Sequence, residues 1–145
     1  MASMRKYAYK GCGEVNKTSH WYSSAIRVGD QIHCAGQGSF YNADFNISKL
    51  VSEQIDQAFV TMDTALKHTG AKGWSQAYRV NSYHIQLDQE AQDAMVRSFK
   101  KWMPDNHPVW TCVQIGRLGH DATRVEIEVS AFGHEGAKEA GTSRA

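Results

Sequence analysis

The run Val125-Glu126-Ile127-Glu128-Val129-Ser130-Ala131-Phe132 sets apolar against polar residues at every second position. That is the pattern of a strand with one side on a core and the other turned outward. Working backward, Val109 to Leu118 reads as another strand, entered through Pro108. Ala77 to Leu87 alternates as well, with Tyr78, Val80, Ser82, His84 and Gln86 on one side and Arg79, Asn81, Tyr83, Ile85 and Leu87 on the other. Neither side is purely apolar. Between these strands Asp88 is placed to cap a helix running to about Trp102, with Ala91, Met95, Phe99 and Trp102 as its apolar stripe and Pro104 as its stop.

Further upstream, from Ser48 onward, Val51, Ile55, Phe59, Met62 and Leu66 recur at steps of three or four until Gly70, which predicts an amphipathic helix. Ala25 to Val28 and Gln31 to Ala35 flank Gly29-Asp30 as two strands flank a two-residue turn. The element order is therefore β-β-α-β-α-β-β, an α+β single domain with two helices on one face of one sheet. The other face must be covered, and association of copies is the economical way to do it. Residues 19–133 are expected to form this domain, with a polar N-terminal tail over 1–18 and a flexible C-terminal tail over 134–145.

Composition narrows the function. Sixteen basic and fifteen acidic residues leave a net charge of +1, too little field to favour a nucleic-acid or anionic-membrane partner. Neither a secretory leader nor a membrane span is legible near the start of the sequence. Cys12, Cys34 and Cys112 are odd in number and widely spaced, without a C-x-x-C pair. This fits free thiols and a cytoplasmic location.

Tyr22-Ser23-Ser24-Ala25-Ile26 followed by Gly29 and Cys34-Ala35-Gly36-Gln37, together with Pro108-Val109-Trp110-Thr111-Cys112-Val113 and Val125-Glu126-Ile127-Glu128, resembles the Rid family of reactive intermediate deaminases, also called the YjgF family. The resemblance runs from about Trp21 to Phe132. It implies a chorismate-mutase-like fold, a homotrimer around a central sheet barrel, and a small-molecule cleft between subunits. It further implies hydrolysis of imines or enamines to a 2-oxo acid and ammonia, with neither metal nor organic cofactor. On the same ground Tyr22, Gly36, Cys112 and Glu126 take the positions of cleft residues, with Glu126 and Tyr22 as the acid-base pair.

Two positions depart from the family pattern. Ala35 stands where serine is usual, and Trp110 stands where the deaminases place a substrate-binding arginine. An indole has one N–H donor and no charge, so it cannot replace a guanidinium fork on a carboxylate. The lost contact should cost about 1.5–3 kcal/mol of binding to a charged ligand. Trp110 and Tyr22 together suggest a flatter, more aromatic ligand, and Arg79 and Arg117 are candidates for a replacement charge.

Other residues read more simply. Cys112 in an apolar strand is expected to pack against the ligand cleft rather than act as a nucleophile. His107, beside Pro108, is a candidate proton shuttle or ligand contact. No histidine spacing predicts a metal site, and Gly36-Gln37-Gly38 is no dinucleotide fingerprint. Two alternatives to hydrolysis stay open: a cleft repurposed for isomerisation or cyclisation, and a non-catalytic ligand-binding trimer. Ribonuclease activity, historically associated with the family, is disfavoured by the balanced charge.

Overall fold

The computed structural model describes residues 4–39 and 46–134. Six strands, β1 (Met4–Tyr7), β2 (Ala25–Val28), β3 (Gln31–Gln37), β4 (Ala77–His84), β5 (Val109–Gln114) and β6 (Val125–Phe132), form one sheet in the order β1-β2-β3-β6-β4-β5. Only β4 and β5 run parallel; the other neighbours are antiparallel. The reason is the connection: helix α3 (Gln89–Trp102) carries the chain back between β4 and β5. The turn of the β2–β3 hairpin is Gly29-Asp30, closed by the pair Val28 and Gln31, and Gly29 supplies the positive φ of 59° that such a tight turn needs.

Helices α2 (Val51–His68) and α3 cover one face of the sheet. Ile55, Phe59, Met62 and Leu66 from α2 and Ala91, Ala94 and Met95 from α3 are fully buried with Ile32, Val80, Ile127 and Val129 of the strands. Burial of each large side chain is worth about 1.5–3 kcal/mol. Trp74 stacks on Phe59 at 4.6 Å between ring centroids and donates its indole N–H to the Phe59 carbonyl at 2.9 Å. Asp88 caps α3, its carboxylate accepting from the Ala91 backbone N–H at 2.9 Å. The fully buried Arg27 donates to the carbonyls of Thr69, Gly29 and Gly133, tying the end of α2 and the end of β6 to the hairpin turn.

From Met4 onward, the stretch expected as an N-terminal tail is instead part of the fold. It contributes β1, paired antiparallel with β2, and helix α1 (Cys12–Ser19), both ahead of the hairpin. Tyr9 and Cys12 are buried, and the Tyr9 hydroxyl donates to Gln37 at 2.8 Å. The stretch reads as polar because β1 is an edge strand with exposed side chains and α1 is short, so neither has a full apolar stripe. The strand begun at Val109 ends at Gln114 rather than Leu118, and the following loop is held by an ion pair between Arg117 and Asp121 at 2.8 Å. The C-terminal tail expected over 134–145 lies, beyond His134, outside the described residues.

Candidate functional site

The sheet separates the expected site residues into two groups. Val125, Ile127, Val129 and Ala131 point into the helix-covered core, so Glu126, Glu128 and Ser130 leave β6 on the open face. There Glu128 accepts hydrogen bonds from Asn81 at 3.0 Å and from Tyr83 at 3.3 Å. Glu126 makes no hydrogen bond or ion pair among the described residues. It is half-buried, and desolvation pushes its carboxyl above the ordinary range.

Gly36 reaches Glu126 through a bulge in β3. Cys34 pairs with Val129 and Gln37 with Ile127, so Ala35 and Gly36 together stand opposite Glu128. A Cβ placed on Gly36 would come within 2.5 Å of the Glu126 carboxylate oxygen Oε2, so the acid's present position requires glycine there. Tyr22, in the segment between α1 and β2, completes this group. Burial, then the neighbouring Glu126, then Cys12 push its phenol above the ordinary value, which keeps it a neutral O–H donor.

Tyr22 and Ala35 line a cavity of about 520 Å³ together with Lys6, Lys17, Trp21 and Ser23. Trp21 is 89% exposed and is held at a φ of 61°, alone among the described non-glycine residues. Sequence reading passed over Lys6, Lys17 and Trp21. Positive φ has no local signature at a tryptophan, and the lysines meet only after β1 and α1 fold beside the hairpin.

Trp110 and Cys112 belong to the other face. In the register of β5 on β4 they stand beside Val80 and Ser82, both fully buried under the helices. The Trp110 indole N–H donates to Ser82 Oγ at 2.9 Å, and its ring meets Phe99 edge-on at 5.0 Å. Ser82 Oγ also lies 2.9 Å from His84 Nε2. Ser82 Oγ thus bridges Trp110 and His84 Nε2, while His84 Nδ1 is buried without a hydrogen-bond partner among the described residues. Burial pulls the His84 pKa down.

Trp110 and His107 line a second cavity, of about 420 Å³, with Phe99, Lys100, Met103 and Pro108. Within one chain, then, Trp110 and His107 come together while Tyr22, Ala35, Gly36 and Glu126 form a separate cluster. Of the candidate replacement charges, Arg117 is engaged by Asp121 away from both cavities, and Arg79 lines neither. Burial pushes the thiols of Cys12 and Cys34 up to about 11 and about 12, so both stay protonated.

The strand of Glu126 is positioned from outside the sheet. Gln54, fully buried on α2, donates to the carbonyls of Ser48 and Ala122 and accepts from the Arg124 N–H at 2.8 Å, fixing the loop that enters β6. Among the described residues no group of three or more His, Cys, Asp or Glu side chains is placed to hold a metal ion. No helix among them is long and apolar enough to cross a membrane.

Comparison with known proteins places this architecture. No curated protein matches the sequence. Among solved structures, Rv2704 of Mycobacterium tuberculosis, a member of the YjgF/YER057c/UK114 family, is 22% identical, with a TM-score of 0.73 over 90% of this chain and 100% of its own. The protein YjgH is 26% identical with a TM-score of 0.70, covering 88% of this chain and 95% of its own. Escherichia coli TdcF, solved with bound serine, is 18% identical with a TM-score of 0.69, covering 77% of this chain and 87% of its own. A family model described as Endoribonuclease L-PSP matches residues 14–132, from within α1 to the end of β6. The α+β fold and that match together make this chain a member of the YjgF, or Rid, family.

Proposed function

We propose that the protein is a Rid-type small-molecule enzyme acting on an imine, enamine or related conjugated intermediate, in clefts between the subunits of a homotrimer. Family membership supports a role in small-molecule metabolism. The observation that carries the reading is Glu126: an unpaired, partly desolvated carboxyl pressed against the backbone at Gly36, with the Tyr22 hydroxyl nearby.

The chemistry follows from those groups. Glu126 takes a proton from water as the oxygen attacks the C=N carbon, while Tyr22 donates toward the nitrogen. The tetrahedral carbinolamine then breaks its C–N bond: the Glu126 proton passes to the departing amine, and the carbinol O–H proton returns to the Tyr22 oxygen as the C=O forms. The products are ammonia and a carbonyl compound. An enamine enters the same route after protonation at carbon.

Assembly is supported by the open face. Met4, Val109, Val113 and Phe132 are exposed there at 57%, 55%, 39% and 52%, and a second copy seated on the face would bury them. Trp110, Cys112 and His107 would then serve as the ligand-facing edge of a neighbouring subunit, with Ala35 and Gly36 lining the Glu126 side. The absence of a charge at Trp110 favours substrates with a flat conjugated portion.

The test generates enamine acids from serine or threonine with a dehydratase and follows their loss against the uncatalysed rate. Wild type is expected to accelerate hydrolysis, and Glu126→Gln to lose about a hundredfold of that acceleration. Equal rates for the two proteins would remove Glu126 from the mechanism. An inert wild type would turn the search toward isomerisation, cyclisation or simple ligand binding. Sedimentation velocity reads the trimer directly; a monomer would end the intersubunit-cleft reading.

A further inference from the structure

We infer that Lys6 and Lys17 form the anion grip of this protein, holding a carboxylate of the ligand in the cavity beside Tyr22 and so replacing the charge absent at Trp110. The substrate class is then a conjugated acid whose carboxylate sits between the two ammonium groups while its unsaturated end points toward Tyr22 and Glu126. The chemistry at that end rests on the function proposed above; the anion contact does not.

Four observations carry it. Lys6, on β1, and Lys17, in the last turn of α1, come from different elements and converge on one cavity with Tyr22, Ser23 and Ala35. Neither makes an ion pair or hydrogen bond among the described residues, so two like charges line one concave surface without a protein anion between them. Such a pair is most stable with a bound anion to separate it. Trp21, at the same cavity, presents an almost fully exposed indole from a strained backbone, a costly arrangement with little packing return among the described residues. Finally, Lys6 lies outside residues 14–132, the part of the chain that matches the family model, so its cation is no part of that model's pattern.

The second cavity supplies the competing site, because it too is lined by a lysine, Lys100. The experiment is calorimetric titration of the full chain with cinnamate, a flat conjugated carboxylate, and with cinnamamide, its uncharged counterpart. Wild type is expected to bind cinnamate about tenfold or more tightly than the amide, as a charge-assisted contact requires. Lys6→Gln and Lys17→Gln should each reduce that preference, the double variant should abolish it, and Lys100→Gln should leave it intact. Equal affinity of wild type for the two ligands overturns the inference, as does a preference that survives the double variant or disappears in Lys100→Gln.

The enamine assay keeps the two readings apart. If wild type hydrolyses no enamine acid yet loses its cinnamate preference in the double variant, the anion grip stands and the enzymatic reading falls. If hydrolysis depends on Glu126 while the double variant changes neither cinnamate preference nor KM, the enzymatic reading stands and the grip falls.

Discussion

Trp110 and Glu126 leave the same sheet on opposite faces: the indole turns under the helices to donate to Ser82 at 2.9 Å, while the carboxylate lies on the open face against Gly36. The indole is tied into a buried polar chain, Trp110 to Ser82 to His84, and packed on Phe99.

That tie has a measurable worth. Trp110→Phe keeps the aromatic edge against Phe99 but loses the N–H, and should cost about 0.5–1.5 kcal/mol in urea unfolding. Trp110→Arg loses both the edge contact and the fit to Ser82, and should cost about 1.5–3 kcal/mol. An arginine variant as stable as wild type would show that the indole is not held as described.

His84 makes stability fall in mild acid. Its folded pKa lies below the ordinary 6.5, so between that value and the lowered one the unfolded chain binds the proton that the folded chain refuses. Stability is complete above about pH 6.5 and declines as pH falls below it. The ring C–H resonance of His84 should accordingly stay at its neutral position through pH 6.5. A resonance that titrates at 6.5 would contradict the buried, proton-poor environment.

Glu126 acts in the opposite sense. Its folded pKa is raised above the ordinary 4.5, so the ionised form is penalised in the folded protein, and stability rises as pH falls through the raised value toward 4.5. Glu126→Gln removes the penalty. The variant should be more stable than wild type at neutral pH, with the difference fading below about pH 4.5. A destabilised variant at pH 7 would mean that the carboxylate is held by favourable contacts instead.

Gly36→Ala tests the close approach. Its methyl group would meet Glu126 Oε2, the mobile end of a side chain, so the carboxyl can swing aside at small cost in stability. The displaced acid should lower turnover about tenfold to a hundredfold with the melting temperature little changed. Full activity in this variant would separate Glu126 from the reaction more cleanly than its own substitution does.

How far these relationships could be read in advance depends on their range along the chain. The alternation of β6, the stripes of α2 and α3, the Asp88 cap and the Gly29-Asp30 turn are local patterns, because burial of one face imprints a period of two or 3.6 on consecutive residues. With the motifs around Cys34-Ala35-Gly36-Gln37 and Val125-Glu126-Ile127-Glu128 they were enough for the α+β fold and the family. β1 and α1 were not legible, because an exposed edge strand and a two-turn helix need too few apolar residues to leave a period.

The site itself was decided by tertiary structure. The sequence determined that Glu126 lies on the face opposite Ile127, but the bulge that brings Gly36 onto its carboxylate arises only when β3 pairs with β6. Trp110 was identified as a departure, yet its attachment to Ser82 depends on the parallel register of β5 on β4, across the whole of α3. Lys6, Lys17 and Tyr22 share a cavity because an edge strand and a short helix fold beside a hairpin. Periodicity records which way a residue faces; which distant residues it meets is set by chain crossings and strand register, and these have no period to read.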